Sequence, residues 1–203
     1  MSQPHDGAVA ASFSTEWLSL REPFDGAARA AAAAQPPMKA HLARLKADGA
    51  IGVLDLACGQ GANLRVLAPQ LGAEQHWRLV DHDPALLAAL PVALQRWAQQ
   101  QDYRYTASAA GCACRIEGTG FSATVAWQRL DLSRDLEAIE LARTTLISAS
   151  ALLDLVSAAW LQRLIERARG AGAAMLWALN VDGRLVWDPP DPEDAVVHAL
   201  FCS

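Results

Sequence analysis

The sequence predicts an α/β fold with a doubly wound, mostly parallel sheet, and three observations support this prediction. Short apolar runs of strand length alternate with helical patterns through most of the chain after residue 50. The first run, Ile51–Leu56, is followed by a glycine turn that opens a helix. Asp55, Asp81 and Asp131 stand at the ends of three predicted strands, and in a parallel sheet such strand ends face one crevice.

The composition is that of one domain with a sizeable core. The chain has 203 residues, 52% of them apolar, and a formal net charge of −5. Lysine and arginine form no basic stripe, so we expect no nucleic-acid partner. No apolar run has the length of roughly 18 residues that a membrane span needs, and the N-terminus does not resemble a signal peptide. We therefore expect a cytoplasmic protein without a membrane partner.

The four cysteines are expected to be free thiols in a reducing compartment. They are Cys58, Cys112, Cys114 and Cys202. Cys112 and Cys114 form a C-x-C pair with no histidine nearby, which does not fit the ligand spacing of a zinc site. We therefore predict no metal.

The chain is divided here into a disordered tail at residues 1–13, a helical lid at 14–49 and a core at 50–203. Proline-containing segments split the lid pattern into three predicted helices, at residues 14–20, 25–35 and 38–46. Strands are predicted at residues 52–56, 77–80, 112–116, 121–127, 145–150 and 173–179, and the third and fourth of these form a hairpin. Core helices are predicted at residues 63–68, 84–101 with an interruption at Pro91, and 157–170, with a last helix from residue 191.

Gly59 and Gly61 have a physical role that other residues would fill poorly. A side chain at either position would obstruct the close approach of a ligand or would need a strained φ angle. The third glycine of the dinucleotide-binding fingerprint is absent, because Leu64 stands in its place. A nucleotide-like cofactor without a tightly held pyrophosphate is therefore favoured over NAD or FAD.

Each of the three strand-end carboxylates has a binding interpretation and a structural one. Asp81 can accept hydrogen bonds from both hydroxyls of a ribose, or it can be a turn residue. Asp131 can meet an adenine amino group, or it can be an ordinary loop residue. Asp55 can reach the cofactor through water, or it can brace the glycine turn.

Several segments resemble a known family. VLDLACGQGAN, LVDHDPALL and RLDL resemble the first three motifs of the class I S-adenosylmethionine-dependent methyltransferases, and TTLISASALLDLVSAAWL resembles their fourth-strand region. WLSLREPFD and VDGRLVW resemble segments of a bacterial subgroup whose members are mostly uncharacterised. The resemblance covers about residues 14–200. It implies a Rossmann-like core, S-adenosyl-L-methionine as cofactor and methyl transfer to an unidentified small-molecule acceptor.

The resemblance also implies roles for individual residues. Gly59 and Gly61 would border the methionine part of the cofactor, and Asp81 would hold the ribose with His82 beside the adenine. The other residues expected at the cofactor are Asp55, Ala57, Cys58, Asn63, Asp131, Leu132, Ser148 and Ala149. Within this set, Asp131 and Leu132 would flank the adenine, and Ser148 and Ala149 would face the methyl group and the acceptor.

Two further residues are candidates from their chemistry and position. Arg21, in the lid, can pair with the carboxylate of the cofactor, or it can be a surface arginine paired with Glu22. Asp154, just after the fourth-strand region, can act as a catalytic base or substrate anchor, or it can cap a helix.

The sequence departs from the family at its C-terminal end. The family sheet usually has an antiparallel strand pair beyond strand five, and we find no such pair before Ser203. We therefore expect either a truncated chain or a homodimer formed through the exposed strand-five edge. The alternatives are a truncated or degenerate methyltransferase that binds the cofactor without catalysis, an NAD-dependent oxidoreductase, and a methyltransferase acting on RNA or protein.

Overall fold

The structure, a computed structural model, describes residues 15–45, 49–109, 111–178 and 186–201. Its helices are α1 (Thr15–Ala33), α2 (Pro36–Leu45), α3 (Ala62–Leu71), α4 (Pro84–Gln100), α5 (Ala158–Ala171) and α6 (Asp194–Phe201). Its strands are β1 (Ile51–Leu56), β2 (Ala73–Asp81), β3 (Arg104–Ala107), β4 (Ala113–Gly118), β5 (Phe121–Arg129), β6 (Leu146–Ser150) and β7 (Ala174–Ala178). Strands and helices alternate from β1 to α4 and again from β6 to α6, as the sequence predicts, while β3, β4 and β5 follow one another between these parts.

The seven strands form one mixed sheet in the order β3-β4-β5-β2-β1-β6-β7. The five strands from β5 to β7 in this order run parallel, while β3, β4 and β5 pair antiparallel. The predicted α/β fold with a mostly parallel sheet is thus confirmed. The carboxyl ends of β1, β2 and β6 meet at one edge, where ligands bind in sheets of this kind.

Helices cover both faces of the sheet, because side chains along each strand alternate between two cores. Val53 and Trp77 pack into a core with leucines of α2, α3 and α4. Leu54 and Val80 pack on the opposite face with Trp160 and its neighbours in α5. Both cores are almost fully shielded from solvent, so the strand ends are held on a rigid support.

The prolines do not end helices where the sequence predicts that they should. Pro23, Pro69 and Pro91 all lie inside continuous helices, α1, α3 and α4. In α4 the buried face continues past the proline, from Leu86 through Leu90 to later turns. Burial of this face outweighs the cost of roughly 3 kcal/mol for an interior proline.

The region before the core therefore contains two described helices rather than three. The break predicted at Arg21–Pro23 is wrong, because α1 runs through it. Pro36 and Pro37 do not only stop the first helix but occupy the first turn of α2, where proline is tolerated. The predicted tail at residues 1–13 and the predicted cap Ser14 lie outside the described residues.

The antiparallel strands extend the sheet on the side opposite to the one the family resemblance suggests. The predicted hairpin is confirmed as β4 and β5, but the sequence did not reveal β3, which pairs with β4. The three strands join the parallel part of the sheet at β2. Among residues 186–201 there is no strand beyond β7, and residues 179–185 lie outside the description.

Candidate functional site

The glycine turn after β1 is a compact left-handed segment. Ala57, Gly59 and Gly61 have φ angles of 51°, 54° and 77°. The Cys58 N–H donates to the carbonyl of Val80 at 3.0 Å, which ties the turn to β2. The turn thereby brings exposed backbone against the end of the neighbouring strand. A non-glycine residue in this region, such as Ala57, is uncommon and is typical of functional sites.

The two glycines are required for different reasons. At Gly59 an added Cβ would lie 3.7 Å from Leu18 of α1, an ordinary contact, so the positive φ angle is the main constraint. At Gly61 an added Cβ would lie 3.0 Å from Leu90 and 3.2 Å from Leu94. Gly61 therefore makes room for the close packing of α4, and a contact of its backbone with a cofactor stays a prediction.

Asp81, at the end of β2, is only 3% exposed and holds the turn in place. Its Oδ2 accepts a hydrogen bond from the Gly59 N–H at 2.8 Å, and its Oδ1 accepts one from the Asp83 N–H at 3.0 Å. Asp81 thus acts as a turn residue, which is the structural one of its two interpretations from the sequence. Each carboxylate oxygen can accept a second hydrogen bond, so Asp81 keeps acceptor capacity for a ligand.

Asp55 is fully buried behind the turn. Its Oδ1 accepts hydrogen bonds from Asn63 Nδ2 at 2.8 Å and from Ser148 Oγ at 2.6 Å. Its Oδ2 is buried and has no hydrogen-bond partner among the described residues. Burial raises the pKa of this carboxyl to about 6, although the bonds from Asn63 and Ser148 oppose the shift. A buried acceptor without a partner indicates a place for a donor that the protein does not supply.

A chain of hydrogen bonds links this carboxylate to the N-terminal helix. Ser150 Oγ donates to Asn63 Oδ1 at 2.5 Å, and Arg29 Nε donates to Ser150 Oγ at 3.4 Å. Arg29 lies in α1, so the chain joins α1, β6, α3 and β1. Burial lowers the pKa of the Arg29 guanidinium from its usual value.

One ion pair joins α1 to α3 beside the glycine turn, and a second lies within α1. Arg65 Nη2 of α3 lies 2.6 Å from Glu22 Oε1, and Arg21 Nη2 lies 3.2 Å from Asp25 Oδ1. The Arg21 guanidinium also lies 5.9 Å from the centre of the Trp17 ring. Arg21 is therefore paired with Asp25, not with Glu22 as the structural interpretation of the sequence suggested.

Two adjoining cavities open at this edge of the sheet. The first lies between α1, the glycine turn and the end of β2, and we call it the cleft. Of the predicted residues it is lined by Arg21, Ala57, Cys58, Gly59, Asn63, Asp81 and His82. The second cavity lies between α1, α2, α3 and the ends of β6 and β7, and of the predicted residues it is lined by Asn63, Ser148 and Ala149. Asn63 and Arg29 line both cavities.

The predicted residues after β5 do not line either cavity. Asp131 Oδ1 accepts hydrogen bonds from the Ser133 N–H at 3.0 Å and from Ser133 Oγ at 2.6 Å. The Ser133 hydroxyl thereby lowers the pKa of Asp131. The carbonyl of Leu132 accepts from the indole N–H of Trp160 at 2.6 Å. A cofactor role for Asp131 and Leu132 stays a prediction.

Asp154 also lies outside both cavities, although its neighbour Leu155 lines the cleft. It belongs to a short 3-10 turn, Leu153–Leu155, and is exposed. The cap of α5 is Ser157, whose hydroxyl accepts from the Trp160 N–H at 3.2 Å. Asp154 is therefore not the cap of this helix, and a catalytic role for it stays a prediction.

Two residues at the junction of the cavities were missed by sequence reasoning, Arg29 and Ser150. Arg21, Asp25 and Arg29 follow one another at spacings of four residues in an alanine-rich helix. Such spacing places charges on one helix face, and this was the available signal. For Ser150 the signal was its place at the end of a predicted strand.

Comparisons with known proteins give a likeness in fold. A methyltransferase dependent on S-adenosylmethionine from Mesorhizobium loti is 17% identical, over 71% of this chain and 52% of its own, with a TM-score of 0.41. A cyclopropane-fatty-acyl-phospholipid synthase-like protein from Lactobacillus casei is 20% identical, over 78% and 49%, with a TM-score of 0.46. An arsenic(III) S-adenosylmethionine methyltransferase from Chlamydomonas reinhardtii is 19% identical, over 74% and 44%, with a TM-score of 0.45. This chain thus spans about half the length of these structures. No protein-family model and no curated protein sequence matches the chain.

The fold is a doubly wound, Rossmann-like α/β fold. With β1 at the centre of five parallel strands and the glycine turn after β1, its parallel part fits the class I methyltransferase fold, whereas its antiparallel strands lie beside β5 rather than beyond β7. Among the described residues, no three His, Cys, Asp or Glu side chains are grouped as metal ligands would be. No helix in the described ranges has both the length and the apolar character needed to cross a membrane.

Proposed function

We propose that the chain is an S-adenosyl-L-methionine-dependent methyltransferase that acts on a small molecule. The observation that carries the proposal is the pairing of two buried carboxylates, Asp55 and Asp81, around one left-handed glycine turn. Asp81 offers acceptors to hydroxyl groups in the cleft, and Asp55 has a buried oxygen without a donor. A ligand with vicinal hydroxyls fits the acceptors of Asp81. Asp55 lines neither cavity, so its unpartnered oxygen would act on the ligand through water or through the turn that it braces.

The residues around the cleft fit this cofactor at each of its polar parts. Asp81 would accept from the ribose hydroxyls, and His82 would lie beside the adenine. Asp55 lines neither cavity, so it would reach the amino group of the methionine part through water. Arg21 stays a candidate for the carboxylate of the cofactor, for which it would have to share its guanidinium with Asp25. When bound, S-adenosylmethionine supplies a methyl group activated by a positively charged sulfur.

The chain's own contribution to such a reaction is mainly alignment, since the leaving thioether is neutral and needs no protonation. Helix α1 is held over the cleft by Arg65–Glu22 and would exclude water from it. Cys58 is an unsuitable nucleophile, because burial raises the pKa of its thiol well above the usual value. Ser148 lines the second cavity and donates a hydrogen bond to Asp55, which ties the wall of that cavity to β1.

The remaining parts of the proposal concern partners and location. The absence of a basic stripe favours a small-molecule acceptor over RNA, and we propose a cytoplasmic, bacterial protein on the strength of the family resemblance. A homodimer through the β7 edge is also part of the proposal. A chain that binds the cofactor without catalysis is the alternative that an activity assay must separate from this one.

Calorimetric titration with S-adenosylmethionine and S-adenosylhomocysteine tests the cofactor assignment. Asp81→Ala is expected to weaken binding by about 30- to 150-fold, equivalent to roughly 2–3 kcal/mol for hydrogen bonds to a charged group. Asp81→Asn keeps the shape of the side chain and should also weaken binding, because one of its acceptor atoms becomes a donor.

Glu140→Gln also replaces a carboxylate by an amide, at an exposed position outside both cavities. It is the matched control and should bind S-adenosylmethionine like the unmodified protein. A titration with NAD⁺ should show no binding. Unchanged affinity of both Asp81 variants would remove this residue from the site. Tight binding of NAD⁺ would contradict the proposed cofactor class.

A further inference from the structure

The second cavity has a size and a lining that suit a small organic molecule. Its volume is about 340 Å³, within the range of small-molecule sites. Most of its wall is apolar and comes from five elements, with Ala32 of α1, Met38 of α2, Leu67 of α3, Ala149 of β6 and Trp177 of β7 as examples. The flat indole of Trp177 provides a surface against which an aromatic or branched apolar group can pack.

Among the polar side chains of the second cavity, Arg29 is the one with most of its hydrogen-bond donors left for a ligand. Asn63 and Ser148 also line it, but their side chains take part in the hydrogen bonds that hold Asp55. Arg29 is different, since a guanidinium has five N–H donors and the structure gives this one a single hydrogen-bond partner, Ser150 Oγ at 3.4 Å. No carboxylate of the described residues lies within 4.0 Å of it as an ion-pair partner.

The charges of the two cavities differ in sign. The cleft is lined by two arginines and by the four carboxylates of Glu22, Asp25, Asp81 and Asp83. Arg29 is the one charged side chain that lines the second cavity. The cleft therefore suits the cofactor, whose sulfonium and ammonium outweigh its carboxylate, while the second cavity suits an anion.

From this arrangement we infer that the second cavity binds an apolar carboxylate as the methyl acceptor, with Arg29 holding the carboxylate. The inference rests on the proposed function, because it identifies the neighbour of the cofactor site as the acceptor site. Arg29 lies where the two cavities join, so it places the carboxylate of the acceptor at the boundary with the cleft. A carboxylate oxygen there would attack the methyl carbon of the cofactor: an O–CH3 bond forms as the S–CH3 bond breaks, and the products are a methyl ester and the neutral thioether S-adenosylhomocysteine, with no proton to remove. Its hydrogen bond to Ser150 fixes the guanidinium relative to the strand end.

The test uses 2-naphthoate as the probe and neutral 2-naphthalenemethanol as its uncharged analogue, both titrated calorimetrically without cofactor. We expect 2-naphthoate to bind the unmodified protein at least tenfold more tightly than the alcohol. Arg29→Gln should remove this preference, so that the variant binds the acid and the alcohol with equal affinity. Ala32→Phe should weaken both probes by filling the cavity, whereas Ala31→Phe, one residue away on the exposed side of α1, should not.

Three results would overturn the inference. Equal affinity for the acid and the alcohol in the unmodified protein would remove the anionic requirement, and this measurement does not depend on any variant folding. Loss of S-adenosylhomocysteine binding in Arg29→Gln with naphthoate unaffected would assign Arg29 to the cofactor. Naphthoate binding that Ala32→Phe leaves unchanged would place the probe elsewhere. If S-adenosylhomocysteine fails to bind the unmodified protein while naphthoate binds as expected, the proposed function fails and the carboxylate site remains.

Discussion

Gly52→Ala is expected to destabilise the protein by about 3 kcal/mol or more, the upper range for overpacking in a core. An added Cβ at Gly52 would lie 1.8 Å from the carbonyl oxygen of Arg143 and 3.0 Å from its carbonyl carbon. These are backbone atoms, so no side-chain rotation relieves the clash. The same segment is held to β1 by hydrogen bonds from the N–H and hydroxyl of Thr145 to the Gly52 carbonyl.

Gly170→Ala is the matched control and should raise the free energy of unfolding instead of lowering it. Gly170 lies within α5, and an added Cβ there would meet no atom within 4 Å. Alanine should therefore stabilise the helix by about 0.5–1 kcal/mol. Urea unfolding followed by circular dichroism measures both changes. A Gly52→Ala variant as stable as the unmodified protein would mean that the segment around Arg143 does not press on β1 as described.

Asp55→Asn is expected to change how stability depends on pH. In the folded chain the pKa of Asp55 is raised to about 6 from the usual 3.8, so the folded state binds a proton that the unfolded state releases. The free energy of unfolding therefore falls as the pH rises from about 4 to 6, and this fall amounts to roughly 3 kcal/mol. The asparagine variant should lack the fall and be the more stable protein at pH 7.

The same variant should bind the cofactor more weakly, since an amide in place of the unpartnered Oδ2 can no longer offer a negatively charged acceptor. Urea unfolding at pH 4, 5, 6 and 7 measures the stability, and calorimetry at pH 7 measures the binding. Glu140→Gln again serves as the control and should follow the pH dependence of the unmodified protein. The prediction fails if the free energy of unfolding depends on pH in the same way in the Asp55 variant and in the unmodified protein. Ionisation of Asp55 would then not cost the folded state the inferred free energy.

The strand–turn–helix unit could be predicted because its determinants are local. The apolar run of β1, the left-handed glycines and the proline after Asp83 each act within a few residues. Asp83 caps α4 by accepting from the Ala85 N–H at 2.7 Å, as the Asp-Pro pair indicated. Local geometry of this kind does not depend on what packs against it.

The partners of the buried carboxylate could not be predicted, because they come from distant parts of the chain. Ser148 is 93 residues from Asp55, and only the pairing of β1 with β6 brings them together. The continuation of α4 through Pro91 has a similar origin, since packing of its leucines against the sheet decides it. Arg29 is the clearest case, because its spacing from Arg21 and Asp25 indicates a charged helix face but not the cavities that this face meets.

The position of β7 links assembly to ligand affinity. Leu176, Trp177 and Ala178 belong to the last strand of the sheet among the described residues, and they also form part of the second cavity's wall. A polypeptide that adds its own strand to β7 would therefore bear directly on the shape of that wall. By thermodynamic linkage, whatever free energy a ligand gains from such a neighbour, the neighbour gains from the ligand.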